Sequence, residues 1–149
     1  MTQENSGDLV MTHVYKIEAG NFTIAGEAAS NIKKLLRQLG IDANIIRRAS
    51  IAAYEAEMNM VIHSFGGKIR LEILSDGVII IAQDSGPGIS DIEKALIDGY
   101  STASDEVLSK GFGAGRGFSN IKLNSDKFYI YSEVGKGTKL ELHFKFPNK

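Results

Sequence analysis

The stretch K-I-R-L-E-I-L-S-D-G-V-I-I-I-A-Q-D-S-G-P-G, residues 68–88, decides the fold. Two β-favouring runs, Lys68–Leu74 and Val78–Gln83, flank Asp76-Gly77, a strong short-range signal for a tight hairpin. The five residues Val78–Ala82 are apolar without alternation, which marks a strand buried on both faces. Asp84 stands at the end of that strand, followed at once by the rigid turn Gly86-Pro87-Gly88.

Upstream, Leu9–Glu18 reads as a strand, and Phe22–Leu39 has helical apolar spacing (Ile24, Ala28, Ile32, Leu35, Leu36, Leu39) stopped by Gly40. Asp42 can cap a second helix reaching about Phe65 and closed by Gly66-Gly67. Downstream, Ser90 and Glu93 form a capping box for a short helix over 91–98. Gly99–Gly117 reads as a long mobile loop, and Phe118–Leu123 as a helix continuing from its last glycines. Strands Phe128–Glu133 and Thr138–Phe146 follow, joined at Gly135-Lys136-Gly137. The order β-α-α-β-β-α-α-β-β predicts an α+β two-layer sandwich, a mixed sheet with helices on one face, rather than a doubly wound alternation. Residues 1–8 are expected as a flexible tail, and 9–149 as a single domain.

Composition narrows the function classes. With 43% apolar and 23% charged residues and a net charge of −1, the chain resembles an ordinary cytoplasmic domain with no general attraction to nucleic acid or membrane. No apolar run is long enough to span a bilayer, and no signal segment opens the chain. There is no cysteine, which excludes disulfides and thiol catalysis, and three scattered histidines offer no metal cluster.

Three pieces carry chemistry. In the second helix, Ile51, Glu55, Asn59 and Ile62 fall within a sector of roughly 80°, so a carboxylate and an amide share a stripe with isoleucines. Burying a carboxylate there costs several kcal/mol, on the order of what a metal ion or ligand would offset. Asn59 can offer an oxygen to Mg²⁺, and Glu55 can orient or deprotonate a nucleophile; the solvent edge of an amphipathic helix is the plainer alternative for both. Glu57, on another face, is assigned to solvent. Asp84 can accept a hydrogen bond from an exocyclic amine such as that of adenine, with Gly86 and Gly88 letting the backbone pass close to a flat base. A plain Asx turn is the alternative. Finally, Gly111, Gly113, Gly115 and Gly117 alternate into a helix start, where backbone N–H groups can converge on phosphates, aided by Lys110 and Arg116. A surface loop is the alternative. No Walker A loop, dinucleotide fingerprint or eukaryotic kinase signature is present.

In this order the motifs resemble those of the histidine-kinase-like ATPases, the GHKL or Bergerat-fold superfamily. Y-E-A-E-M-N-M-V-I-H at 54–63 is similar to its N box, A-Q-D-S-G-P-G-I at 82–89 to G1, and G-F-G-A-G-R-G-F at 111–118 to G2. A terminal G-x-G-T stands at 135–138. The resemblance runs from about Phe22 to the end, with no dimerisation helix pair, receiver or transducer domain. It is nearest to the bacterial partner-switching serine/threonine kinases and anti-sigma factors of the RsbW, SpoIIAB and RsbT types, the last above all. It implies ATP and Mg²⁺, with phosphoryl transfer to a serine or threonine of a STAS-type antagonist. Glu55 would be the base, Asn59 the Mg²⁺ ligand and Asp84 the adenine contact, with Thr138 beside it. Gly86, Gly88, Ile89, Lys110, Gly113, Gly115, Arg116 and Gly117 would complete the nucleotide site. A longer lid over Ser101–Lys110 and an arginine at 116 depart from the switch kinases. The alternatives are an anti-sigma factor that mainly sequesters a sigma factor, and a nucleotide-sensing ATPase of another complex. A homodimer is compatible with the resemblance but has no warrant in the residues.

Overall fold

The computed structural model describes residues 7–89 and 117–147. Among them the chain runs β1 (Leu9–Ile17), α1 (Glu27–Gln38), α2 (Ala43–His63), β2 (Gly67–Leu74), β3 (Gly77–Asp84), α3 (Gly117–Asn124), β4 (Lys127–Glu133) and β5 (Gly137–Lys145). The expected capping box at Ser90, the helix over 91–98 and the loop up to residue 116 lie outside the described residues.

The five strands form one sheet in the order β1-β2-β3-β5-β4. Each neighbouring pair is antiparallel, so the expected mixed sheet is corrected to an antiparallel one. The reason lies between β1 and β2. Two helices, not one, link them, and Gly67 re-enters the sheet directly beside Ile17, the residue at which the chain left it. A single crossover helix would have made the pair parallel.

The hairpin over 68–84 forms in the expected strands, with one difference. Leu74 pairs with Gly77, so the two-residue turn is Ser75-Asp76 and not Asp76-Gly77. Gly77 belongs to the strand, where any side chain would overlap the carbonyl oxygen of Phe144 on β5. The turn also anchors the start of the chain. Gly7 donates to Asp76 Oδ1 at 2.8 Å and Asp8 to Ser75 Oγ at 3.0 Å, ahead of the expected tail boundary at Leu9.

The helices pack over one sheet face. Val78, Ile80 and Ala82 join Ile69, Leu71, Leu140, Leu142 and Phe144 in the main core, together with Ile32 and Leu36 of α1 and Ile121 of α3. Ile79 and Ile81 point the other way and form a small separate cluster with Leu74. This two-sided burial accounts for the uninterrupted apolar run of β3. Along α2, Ala49, Ala52, Ala53 and Ala56 are fully buried, small side chains that allow close helix packing.

Two helix boundaries follow from local chemistry. Asp42 caps α2 as expected, accepting from Asn44 N at 3.0 Å and Ile45 N at 3.3 Å. The expected helix from Phe22 instead begins at Glu27, because Gly26 has φ 98°, a left-handed conformation that cannot continue a helix. Gly26 carries no capping side chain. The missing cap comes from α2. Glu57 accepts from Gly26 N at 2.9 Å, Ala28 N at 3.3 Å and Ala29 N at 2.9 Å, and it is only 3% exposed. Its assignment to solvent is therefore overturned. A helical wheel of α2 alone shows an empty side where the start of α1 in fact docks.

Candidate functional site

Glu55 and Glu57 lie about 200° apart around α2. They consequently face different neighbours: Glu57 reaches α1, while Glu55 reaches α3. Asn120 Nδ2 donates to Glu55 Oε2 at 3.2 Å, and a side chain added at Gly117 would lie 3.6 Å from Glu55 Oε1. Both Glu55 and Asn59, one turn further along α2, are partly buried, as are Ile51 and Ile62. The polar pair thus stands on a half-covered edge of the helix, midway between solvent and core. That position suits groups meant to meet a ligand and avoids the full desolvation cost of a buried carboxylate.

The other half of the site is built around Asp84, at the end of β3. Its Oδ1 accepts the backbone N–H of Thr138 at 3.0 Å, across the β3–β5 pairing. Burial raises the Asp84 carboxyl above its ordinary 3.8, and the Thr138 hydrogen bond draws it partway back. Thr138 is itself buried, with its hydroxyl 2.9 Å from Ser132 Oγ. Ser132 in turn accepts the N–H of Ile89 at 2.8 Å. The expected juxtaposition of Thr138 and Asp84 is present, and Ile89 is tied to both through Ser132.

Residues 85–88 are held on two sides. On one side Phe65 N donates to Ser85 O at 2.7 Å and Ser85 N to Gly66 O at 3.0 Å, next to the C-terminal end of α2. On the other, Gly86 N donates to Lys136 O at 3.1 Å and Gly135 N to Pro87 O at 2.8 Å, in the β4–β5 turn. The demand for glycine comes from these neighbours. A side chain at Gly86 would press on Ser64, and one at Gly88, where φ is 75°, would overlap the carbonyl oxygen of Glu133. The space expected to be kept open for a ligand at Gly86 and Gly88 is filled by the protein itself. The turn that follows Asp84 is therefore formed in advance of any ligand, which lowers the ordering cost of binding.

Of the candidate residues, Asp84, Thr138 and Ile89 come together through Ser132 in one hydrogen-bonded set, Gly86 and Gly88 lie in the turn beside it, and Glu55 comes to Gly117. The helix α2 links the two groups, since Ser64 beneath Gly86 follows directly on the helix that carries Glu55 and Asn59. Lys110, Gly113, Gly115 and Arg116 lie outside the described residues. Among the described residues no group of three or more histidine, aspartate or glutamate side chains could hold a metal alone. A cation here would need ligand oxygens as well as Asn59, which is the habit of Mg²⁺. No helix among the described residues is long and apolar enough to cross a membrane.

Sequence reasoning missed three residues. Glu57 carried no signal, because the expected helix start at Phe22 follows Asn21, an ordinary cap residue, and the start at Glu27 that needs a cap is seen only in the fold. Ser132 and Asn120 carried no signal, because their roles arise only when β4 and α3 dock.

An antiparallel sheet with helices on one face is consistent with the fold of the histidine kinase-, DNA gyrase B- and HSP90-like ATPases. The chain belongs to that family, whose sequence profile matches residues 44–148. Within it, the chain is similar to the serine/threonine-protein kinase RsbT of Bacillus subtilis (strain 168), 32% identical over 113 residues, which cover 73% of this chain and 79% of that protein. It is also similar to the anti-sigma F factor of Clostridium beijerinckii, 31% identical over 121 residues, 77% of this chain and 81% of the relative. A second anti-sigma F factor, from Caldanaerobacter subterraneus, is 35% identical over 92 residues, 58% of this chain and 61% of its own length.

Proposed function

We propose that this chain is a cytoplasmic, ATP- and Mg²⁺-dependent protein serine/threonine kinase of a bacterial partner-switching module, acting on a hydroxyl of a STAS-type antagonist. The observation that carries the nucleotide reading is Asp84: a half-buried carboxylate in a preformed turn, with one oxygen fixed by Thr138. Its second oxygen is the acceptor for an exocyclic amine, and the turn over 85–88 forms the wall beside the base. Bound Mg·ATP would supply the transferable phosphoryl group and the charge neutralisation of its metal. Asn59 would give the metal a protein oxygen, and Glu55 would take or steer the proton of the incoming hydroxyl. Lys110, Arg116 and the glycines at 113, 115 and 117 would meet the phosphates. The likeness to the kinase RsbT across most of both chains favours transfer to protein over mere nucleotide sensing. The anti-sigma F factors among the relatives favour a second reading, capture of a sigma factor, with the chain acting as a homodimer or alone.

Calorimetric titration of ATP and ADP, with and without Mg²⁺, tests the pocket on wild type and Asp84→Asn. Magnesium-dependent binding that weakens at least tenfold in the variant is expected. Equal affinity in the variant would remove Asp84 from the site. Glu55→Gln should abolish phosphorylation of a STAS domain while leaving ATP affinity within about twofold, and retained transfer would overturn the base assignment.

A further inference from the structure

We infer that Asn120 is a positioning residue for Glu55: its side-chain amide fixes which carboxylate oxygen is presented to the incoming hydroxyl. The inference rests on the reading of Glu55 as the proton acceptor. A carboxylate only accepts hydrogen bonds, so the NH₂ of Asn120 faces it, and the 3.2 Å contact engages Oε2. Among the described residues Oε1 faces Gly117, where a Cβ would lie 3.6 Å away. The two oxygens of Glu55 therefore have separate tasks: Oε2 is held, and Oε1 receives the proton.

The hold is firm because α3 is fixed from behind. Ile121, next to Asn120, is fully buried in the core. The carbonyl of Asn120 accepts Asn124 Nδ2 at 2.8 Å. Arg48 of α2 donates to Asn124 O at 2.9 Å and pairs with Asp126 at 3.3 Å, pinning the end of α3 to the same helix that carries Glu55. Asp126 is tied in turn to β5, donating from its N–H to His143 O at 2.8 Å and accepting from Lys145 N at 2.7 Å. Glu55 and its partner thus sit on two helices braced against each other one to two turns from the contact. A free glutamate samples several rotamers; this one is committed to a single orientation before substrate arrives, which is where rate is gained.

The test separates positioning from folding and from the underlying reading. Single-turnover release of phosphate from Mg·ATP, with water as the acceptor, is measured alongside the Kd for Mg·ATP. Asn120→Ala, and the near-isosteric Asn120→Asp, should lower the rate by roughly tenfold or more, with Kd within twofold and unfolding temperature close to wild type. Added to Glu55→Gln, Asn120→Ala should cost nothing further, since the group it orients is gone. Independently, the Asn120 side-chain NH₂ resonance in an ¹⁵N–¹H spectrum of the ligand-free protein should move on Glu55→Gln. Wild-type rates in both Asn120 variants, or a full additional loss in the double variant, would overturn the inference while leaving Glu55 intact. A Glu55→Gln variant with undiminished rate would instead overturn the reading of Glu55. An NH₂ resonance indifferent to Glu55→Gln would deny the contact itself.

Discussion

Replacing Glu57 by alanine should destabilise this protein severely, although the residue lies away from the Asp84–Thr138 cluster. The carboxylate accepts three backbone N–H groups at the start of α1, two of them at 2.9 Å and one at 3.3 Å. The N–H groups of Ala28 and Ala29 are buried and would lose their acceptor without Glu57. Each buried donor left without an acceptor costs about 1–3 kcal/mol, and loss of the favourable charge at a helix start adds up to about 1 kcal/mol. Relief from holding a carboxylate in a dry site works in the opposite direction. The balance is a loss of about 4 kcal/mol for Glu57→Ala. Glu57→Gln should lose about 2 kcal/mol, because one carbonyl oxygen still accepts while its NH₂ confronts an N–H donor. Urea unfolding followed by circular dichroism measures both, with an unchanged denaturant slope expected. In a domain of this size the alanine variant should melt about 8–16 °C lower. A loss under 1 kcal/mol for alanine would refute the reasoning, since three satisfied donors cannot be abandoned that cheaply.

Two further effects bear on the turn after Asp84 and on its carboxyl. Gly88→Ala places a methyl group against the Glu133 carbonyl at a positive φ, so a loss of about 2–4 kcal/mol in urea is expected, and a value near zero would mean that the β4–β5 turn yields freely. The raised Asp84 carboxyl keeps its proton to higher pH in the folded than in the unfolded chain. Its stabilising contribution is therefore complete below the ordinary 3.8 and is lost as pH rises through the folded value; Asp84→Asn should flatten that slope in pH-dependent melting, and an unaltered slope would show the group to be solvated.

Legibility in the sequence followed the range of the interactions. The hairpin at 68–84 was readable because strand pattern and turn lie within seventeen consecutive residues, and Asp42 was readable because a cap acts over two or three positions. The ordered motifs around Glu55, Asn59, Asp84 and Thr138 pointed to the family that the profile shows. Glu57 was misread because its partners are 28 to 31 positions away, on a helix whose docking no periodicity announces. Gly77 was misread for the same cause. It looks like a turn residue, yet the Phe144 carbonyl is what forbids a side chain there. The purely antiparallel sheet depended on where the chain re-enters beside Ile17, which a list of elements does not state.

The insertion of β5 between β3 and β4 has a consequence for synthesis. Asp84 leaves the ribosome early, but Thr138, which fixes its orientation, comes 54 residues later, as the second residue of the strand Gly137–Lys145. A nascent chain that has displayed both of its acidic motifs still has a gap in its sheet, with β3 exposing the edge that β5 will cover. The cluster of Asp84, Thr138, Ser132 and Ile89 consequently cannot assemble in partial translation products, and a chain truncated before Gly137 leaves the Asp84 carboxylate without the N–H that orients it.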